Sequence, residues 1–460
     1  SMAKKKSIDT EKENFLFPKT PTGIDGLDEI TEGGFPKGRP TLICGGAGCG
    51  KTLLSMQFLI KGITEFDENG VFMSFEEPSK DLSLNVRSLG FDLEKLKSDK
   101  KLVVDYVRVE RSEIEEAGEY DLDGLFVRLS HAIDTVKAKR VVLDTIESLF
   151  SGLDNQAILR AELRRLFHWL KEKGVTAVIT GERGEATLTR QGLEEYVSDC
   201  VILLDHRVIQ QVSTRRLRII KYRGSTHGTN EYPFLIDEDG ISVLPITSLK
   251  LNNDVSSEIV STGVPGLDHM FFGGGIYRGS NILVSGTAGT AKTTVAAYFA
   301  NQQCSKNEKT LYFAFEESPQ QLIRNMQSIG IDLEQYTNNG LLQIHSSRPS
   351  LNGLELHLLK LKKLIKEFQP TTVIIDPISN LISVGSDHEV RSMLVRLIDM
   401  LKFNNITALF TSLNKHELIT RPELAEDSVT SLVDTWITVR DLEGIGERNR
   451  GIFIVKSRGM

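Results

Sequence analysis

Short apolar runs alternate with longer stretches of mixed polarity along most of this chain. Thr41–Cys44, Gly70–Phe75, Arg140–Leu143, Val175–Thr180 and Cys200–Leu204 are β-rich. Between the later ones, Ala157–Lys173 places Leu159, Leu163, Leu166 and Leu170 at i, i+4, i+7 and i+11, which is one stripe of a helix. Strands that alternate with helices predict an α/β fold, a mainly parallel β-sheet flanked by helices on both faces. Arg215–Lys221 and Gly451–Lys456 follow earlier strands without an intervening helix, which predicts antiparallel C-terminal strands.

The pattern occurs twice. Thr22-Gly-Ile-Asp-Gly-Leu-Asp28 recurs as Thr262-Gly-Val-Pro-Gly-Leu-Asp268, Phe75-Glu76-Glu77 as Phe315-Glu316-Glu317, Leu143-Asp144 as Ile375-Asp376, and Lys221-Tyr-Arg223-Gly224 as Lys456-Ser-Arg458-Gly459. These features keep one order at offsets between 232 and 241 residues, a period too long for a solenoid and suited to two whole domains. The expected organisation is a disordered polar tail over 1–14, a first domain over 15–247, a linker over 248–258 and a second domain over 259–460.

Composition narrows the class. With 55 Lys and Arg against 62 Asp and Glu, the net charge of −7 supplies no global attraction for a polyanion. Four cysteines without C-x-x-C spacing argue against a zinc site or a disulfide framework. No run approaches 18 apolar residues, so a cytoplasmic location is expected.

The repeated chemistry is phosphate handling. Gly45-Gly-Ala-Gly-Cys-Gly-Lys51-Thr52 and Gly286-Thr-Ala-Gly-Thr-Ala-Lys292-Thr293 each follow an apolar strand and precede a helix. Such a loop offers backbone N–H groups and the positive end of a helix dipole to phosphate oxygens. Lys51 and Lys292 supply a point charge to the β- and γ-phosphates, and Thr52 and Thr293 a hydroxyl to Mg²⁺. Ala291 replaces the second glycine of the second loop, where a Cβ opposes positive φ. Asp144 and Asp376 end apolar runs, the position from which a carboxylate holds the Mg²⁺ water shell; a simple strand-end cap is the bland alternative.

Glu76-Glu77 and Glu316-Glu317 close strands expected beside the loop-bearing strand, at the ligand-binding edge of the sheet. There a carboxylate takes a proton from water or a hydroxyl that attacks the γ-phosphate; alternatively the two acids meet only solvent. The two-residue spacing of Lys221 with Arg223, and of Lys456 with Arg458, puts each pair on one strand face. That suits a group reaching the γ-phosphate bound to a neighbouring subunit, while a solvated basic strand is the ordinary reading. Contacts of that heterologous kind close into rings. Aligned through Asp199 and Asp434, Thr430-Ser431 of the second copy stands where the first has Glu195-Tyr196; the hydroxyl pair is either a phosphoacceptor or an ordinary polar cap.

Taken together these motifs, with Glu231-Tyr-Pro-Phe234, resemble the KaiC family, duplicated RecA/DnaB-superfamily ATPases known from cyanobacterial circadian clocks. The resemblance spans about Pro18 to Gly459. It implies two tandem RecA-like P-loop NTPase domains assembled as a homohexameric double ring with ATP and Mg²⁺ between subunits. The first ring is then a slow ATPase, and the second an autokinase and autophosphatase. Carried over by motif, the first ATP site uses Gly48, Cys49, Gly50, Lys51, Thr52, Leu53 and Ser88, with Lys221, Tyr222, Arg223, Ser225 and His227 from the neighbour. The second uses Gly289, Thr290, Ala291, Lys292, Thr293 and Thr294, with Arg450, Lys456, Ser457 and Arg458 from the neighbour. Thr430 and Ser431 become the acceptors and Glu316 the activating base.

Clock members carry the acceptors in the order Ser-Thr, whereas this chain has Thr-Ser, with Ala425 at a nearby third threonine and Ile329 at an aromatic near the second nucleotide. The chain stops at Arg458-Gly459-Met460, without the extension through which clock members receive an activating partner. Either the sequence is truncated there or the protein works without a KaiA-like partner; on the first ring the resemblance implies a KaiB-like one. The competing readings are an ATP-gated scaffold without autophosphorylation and a RecA- or DnaB-like DNA-dependent motor, the latter disfavoured by the negative charge and by only two Trp.

Overall fold

The computed structural model describes residues 17–87, 90–108, 122–151, 155–184, 199–209, 212–245, 255–348, 353–382, 387–413, 429–444 and 446–458. The 1–14 tail and most of the 248–258 segment lie outside these residues. The chain divides into two compact units, Ser1–Thr247 and Ser248–Met460.

In the first unit the main strands are β1 (Pro40–Gly45), β2 (Gly70–Ser74), β3 (Leu102–Tyr106), β4 (Arg140–Asp144), β5 (Thr176–Glu182), β6 (Cys200–Ile209), β7 (Val212–Tyr222), β8 (Glu231–Asp237) and β9 (Gly240–Val243). They form one nine-stranded sheet in the order β9-β8-β7-β6-β1-β5-β4-β2-β3. Strands β1 to β6 are mutually parallel, and β7 to β9 extend the sheet antiparallel, as the uninterrupted run of strands predicts. Side chains alternate between two apolar layers. Ile43, Phe72, Val142, Val178 and Ile202 share one core, while Leu42, Met73, Leu143, Ile179 and Leu203 share the other, because helices cover both faces.

Helices α1 (Lys51–Phe66), α2 (Asp123–Val136) and α3 (Gln156–Lys173) supply these covers. The predicted leucine stripe of α3 is buried. Its ends are chemically marked: the Asn155 side chain accepts from the Ala157 and Ile158 N–H groups, and Gly174 closes it at φ 68°. Such a cap satisfies otherwise orphaned backbone donors. Arg140, fully buried at the start of β4, fastens α1 to the sheet. Its guanidinium donates to Phe58 O at 3.0 Å, Pro21 O at 2.7 Å and Glu68 Oε1 at 3.0 Å. Gly62 lets α1 come close enough, since a Cβ there would stand 2.5 Å from Arg140 Cδ.

The second unit repeats the plan with seven strands: β10 (Asn281–Gly286), β11 (Thr310–Ala314), β12 (Leu342–Ser346), β13 (Thr372–Asp376), β14 (Thr407–Leu413), β15 (Thr435–Gly444) and β16 (Glu447–Ser457), ordered β12-β11-β13-β14-β10-β15-β16. Only β16 runs antiparallel to its neighbour. Helices α4 (Lys292–Ser305), α5 (Leu354–Phe368) and α6 (Asp387–Phe403) flank this sheet.

One expectation is overturned. The strands that lead to Glu76-Glu77 and Glu316-Glu317 do not lie beside the loop-bearing strands: β5 and β4 intervene between β1 and β2, and β14 and β13 between β10 and β11. The α1 and α4 crossovers skip two places, which later strands fill, and no local pattern records that.

Candidate phosphate-handling sites

Both loops open at the C-terminal edge of the central parallel strand, where open α/β sheets bind ligands. Gly48 and Gly50 sit at φ 72° and 105°, conformations that turn successive N–H groups toward one point without steric cost. Gly50 caps α1, and Cys49 is buried beneath the loop, where burial pushes its thiol up. Leu53 packs on the core. Lys51 Nζ lies along its own loop, donating to Gly45 O at 2.7 Å and Gly46 O at 2.9 Å. Thr52 donates to Asp144 Oδ2 at 2.9 Å, and Asp144 also accepts from Thr180. Burial raises the Asp144 carboxyl despite those two hydroxyl donors.

Glu76 reaches this edge from two residues beyond β2. Its Oε1 accepts from Thr145 at 2.9 Å and from Ser148 at 2.7 Å, which fixes the carboxylate over the end of β4 beside Asp144. Glu77 faces away, accepting from Asn85 at 3.3 Å. The sheet positions the two acids differently although they are adjacent in sequence. A third acid, Glu147, lies in the same layer; burial lifts its carboxyl to about 7, the charge of Glu182 adds to this and that of Lys51 opposes it.

The second site departs in detail. Ala291 adopts φ 73°, so the loop keeps its left-handed turn at a cost of about 1 kcal/mol relative to glycine. Gly289 is at φ 79°, and buried Thr290 donates to Thr287 O at 2.8 Å. Lys292 Nζ donates to Thr287 O at 2.7 Å; burial lowers its pKa, with Asp376 and Glu316 opposing. Thr293 and Thr294 are half-buried on the first turn of α4. Among the described residues, Asp376 is held by Tyr312, whose hydroxyl donates at 2.5 Å, and by Thr411, and not by Thr293. Glu316 accepts from Asn380 at 3.4 Å. Glu317 accepts from Asn325 at 3.4 Å, and burial raises its pKa.

The basic pairs stand elsewhere. Lys221 pairs in register with Val201, at the start of β6, whereas the first loop follows Gly45, level with Leu204. That separation is about 10 Å along the strands. Arg223 is exposed in the turn after β7, 3.6 Å from Asp199. Tyr222 between them turns into the core and donates to Gly34 O at 2.8 Å. Ser225 donates to Thr226 O at 2.8 Å, and His227 Nδ1 lies 2.7 Å from Gly228 O.

In the second unit Lys456 likewise pairs with Trp436 at the start of β15. Its Nζ donates to Thr430 O at 3.0 Å and Val433 O at 2.9 Å, while Arg458 donates to Ser431 O at 3.3 Å. Thr430 and Ser431 occupy a helical turn over 429–432. Ser457 Oγ lies 3.4 Å from Thr435 Oγ1, and Arg450 is 3.6 Å from Asp441. The structure therefore brings together the loop, the aspartate and the first glutamate in each unit, and separately the basic pair with the hydroxyl pair. Ser88 lies outside the described residues.

Several contributors escaped the sequence reading: Thr180 and Thr411 on the aspartates, Asn85 and Asn325 on the second glutamates, and Tyr312, Thr145, Ser148 and Glu147. The first four recur at matched places in the two copies, so aligning the repeat beyond its glycine motifs would have found them. The other four exist in one copy only and carried no such signal.

Among the described residues no helix is long and apolar enough to cross a membrane, and no group of three or more His, Cys, Asp or Glu side chains forms a metal cage. Comparison with known proteins places these sites in a family. The KaiC ATPase model matches residues 20–248 and again 260–460. The chain is 57% identical to the circadian clock protein KaiC2 of a Synechocystis species, over 96% of this chain and 78% of that one. It is 38% identical to the circadian clock oscillator protein KaiC of Synechococcus elongatus, over 98% of this chain and 87% of that one. Two matched repeats, each with a complete loop, aspartate and glutamate set, make this chain a member of the KaiC family of ATP-binding ATPases.

Proposed function

We propose that the chain works as a homohexameric double ring, the first unit a slow Mg²⁺-dependent ATPase and the second a serine/threonine autokinase whose sites are completed by the neighbouring subunit. The observation that carries this reading is the placement of Lys456, Arg458 and the Thr430–Ser431 turn together at the edge of the sheet opposite the Lys292 loop. Lys456 is level with Leu283, three residues or about 10 Å before Gly286, and Arg458 bonds Asp434 beside Asn281, five residues or about 17 Å before it. Neither the hydroxyls nor the arginine meets a γ-phosphate on its own loop, so transfer runs between chains.

In the first unit Lys51 leaves its carbonyl partners for the phosphates, and Glu76 accepts the proton of a water that attacks the γ-phosphorus as the bond to ADP breaks. Thr145 and Ser148 hold that carboxylate in place. In the second unit a neighbour's Thr430 or Ser431 hydroxyl attacks, its proton passes to Glu316, and ADP leaves. Mg²⁺, when bound, neutralises the β- and γ-phosphate oxygens. The hard oxygen donors Thr52 with Asp144, and Thr293 with Asp376, are the residues that would hold it. Relatives named for the circadian clock support a regulatory role; a KaiB-like protein as partner of the first ring belongs to the same proposal.

The test is incubation with γ-labelled ATP followed by mapping of the label. Label on Thr430 or Ser431, lost in Glu316→Gln, is the expected result. Intact ATP turnover with no label at either residue would leave an ATP-gated scaffold and refute the autokinase reading.

A further inference from the structure

On the face of the second sheet away from α4, α5 and α6 frame a cavity that is open to solvent at one side. Its floor and walls are mainly apolar, including Phe313, Phe315, Ile375, Leu361, Met393 and Leu397, with the buried His357 and, on the strand-end side, Ser346 and Ser347 among them. His345 and Lys360 stand among its lining groups.

The first unit shows what ordinarily fills and closes this place. Asp105 is the fourth residue of β3, as His345 is of β12. Arg128 lies nine residues before the left-handed residue that ends α2, Lys137, as Lys360 lies before Gln369 at the end of α5. In the first unit these positions form a bidentate ion pair, Arg128 to Asp105 at 2.6 and 2.8 Å. In the second they are two bases, which cannot neutralise each other. Lys360 is exposed and, among the described residues, makes no ion pair. His345 stacks on Phe313 with ring centres 5.8 Å apart. The filling differs as well. Phe126 and Trp169, stacked at 4.9 Å in the first unit, correspond to Leu358 and Met400. At the cavity wall an aromatic ring has become the aliphatic Leu358, and the carboxylate position of the closing pair holds an imidazole.

We propose that this cavity binds a small apolar monocarboxylate, its hydrocarbon body between α5 and α6 and its carboxylate on Lys360, in the place Asp105 takes opposite Arg128. The ligand supplies the carboxylate that Asp105 gives Arg128 in the first unit and packs beside Leu358, which stands where the first unit has Phe126. The site is distinct from the nucleotide loop, which belongs to the opposite face of the sheet with α4, and it does not rest on the autokinase reading.

Calorimetric titration of the full chain with decanoate, and separately with decan-1-ol, tests it. Decanoate is expected to saturate at one molecule per chain and to bind at least tenfold more tightly than the alcohol. Lys360→Glu should weaken decanoate tenfold or more and leave the alcohol unchanged, while Lys360→Arg retains it. His345→Asp should also abolish decanoate binding, by giving Lys360 the internal partner that Arg128 has. Leu364→Trp, at a half-buried wall position, should exclude both ligands. Decanoate that fails to saturate, or that binds Lys360→Glu and the wild type alike, would overturn the proposal. Equal affinity for the alcohol would reduce the site to an apolar void and overturn its anion specificity.

Discussion

The phenol of Tyr312 donates to Asp376 Oδ2 over 2.5 Å, inside a core from which both groups are shielded. The matching aspartate of the first unit, Asp144, accepts instead from Thr52, itself a residue of the phosphate loop. Phe72 takes the place of Tyr312 there. A carboxylate already engaged by a buried phenol is less available to the nucleotide's metal than one held by a loop hydroxyl. Tyr312→Phe should therefore lower the Mg²⁺ concentration that half-saturates nucleotide binding at the second site several-fold, read by fluorescent nucleotide in a Lys51→Ala background. It should also cost about 1–2 kcal/mol of second-unit stability through the lost hydrogen bond.

Glu147 makes the first unit's stability depend on pH. Burial first, and Glu182 next among the groups that raise it, lift this carboxyl to about 7 from an ordinary value near 4.5. Between those values the folded state holds a proton that the unfolded state has released, so stability falls as pH rises from about 4.5 through 7 and levels off above. The full swing is on the order of 3 kcal/mol. Glu147→Gln should flatten the urea-unfolding profile across this window and raise stability at pH 8; an unchanged slope would contradict the assignment.

The two acids of each strand end are expected to be unequal. Glu76 lies beside Asp144 on hydroxyl partners, whereas Glu77 turns to Asn85. Glu76→Gln should lower steady-state ATP turnover about 10²- to 10⁴-fold, with Glu77→Gln much milder. Equal losses measured by phosphate release would show that position alone does not select the base.

Completion in trans has a direct reading in mixed chains. Arg458→Ala and Lys292→Ala should each silence the second site alone, and mixing the two mutant chains should restore a fraction of the activity, because in the proposed ring every interface that joins the loop of an Arg458→Ala chain to Arg458 of a Lys292→Ala chain carries both wild-type halves. Activity of Arg458→Ala alone equal to wild type, or no recovery on mixing under conditions that exchange subunits, would argue against sharing.

Gly62 is a packing test. Alanine ordinarily stabilises a helix interior by about 1 kcal/mol over glycine, yet here its Cβ would stand 2.5 Å from Arg140 Cδ and Nε, atoms of a fully buried side chain pinned by three acceptors. Overpacking costs about 1–3 kcal/mol. Gly62→Ala should thus lower the first unit's melting temperature rather than raise it, as measured by calorimetry.

Much of this protein could be read from its residues in order. The alternation of apolar runs and the leucine stripe of Gln156–Lys173 follow from periodicity within a few turns of chain. The glycines, lysine and threonine of each loop act through backbone they themselves shape, so adjacency in sequence is adjacency in space. The repeat, visible as matched words 232 to 241 residues apart, announced two sites and the hydroxyl pair Thr430-Ser431, which stands where the first copy has Glu195-Tyr196.

Tertiary structure alone decided the rest. It separated β1 from β2 by two strands, set Tyr312 on Asp376 across 64 residues, and brought Arg128 onto Asp105. Strand order and helix crossing choose which distant side chains meet, and those choices reflect the packing of the whole sheet. A local window carries the chemistry of a side chain but not the identity of its neighbour, and the differences between the two copies of this fold lie in their neighbours.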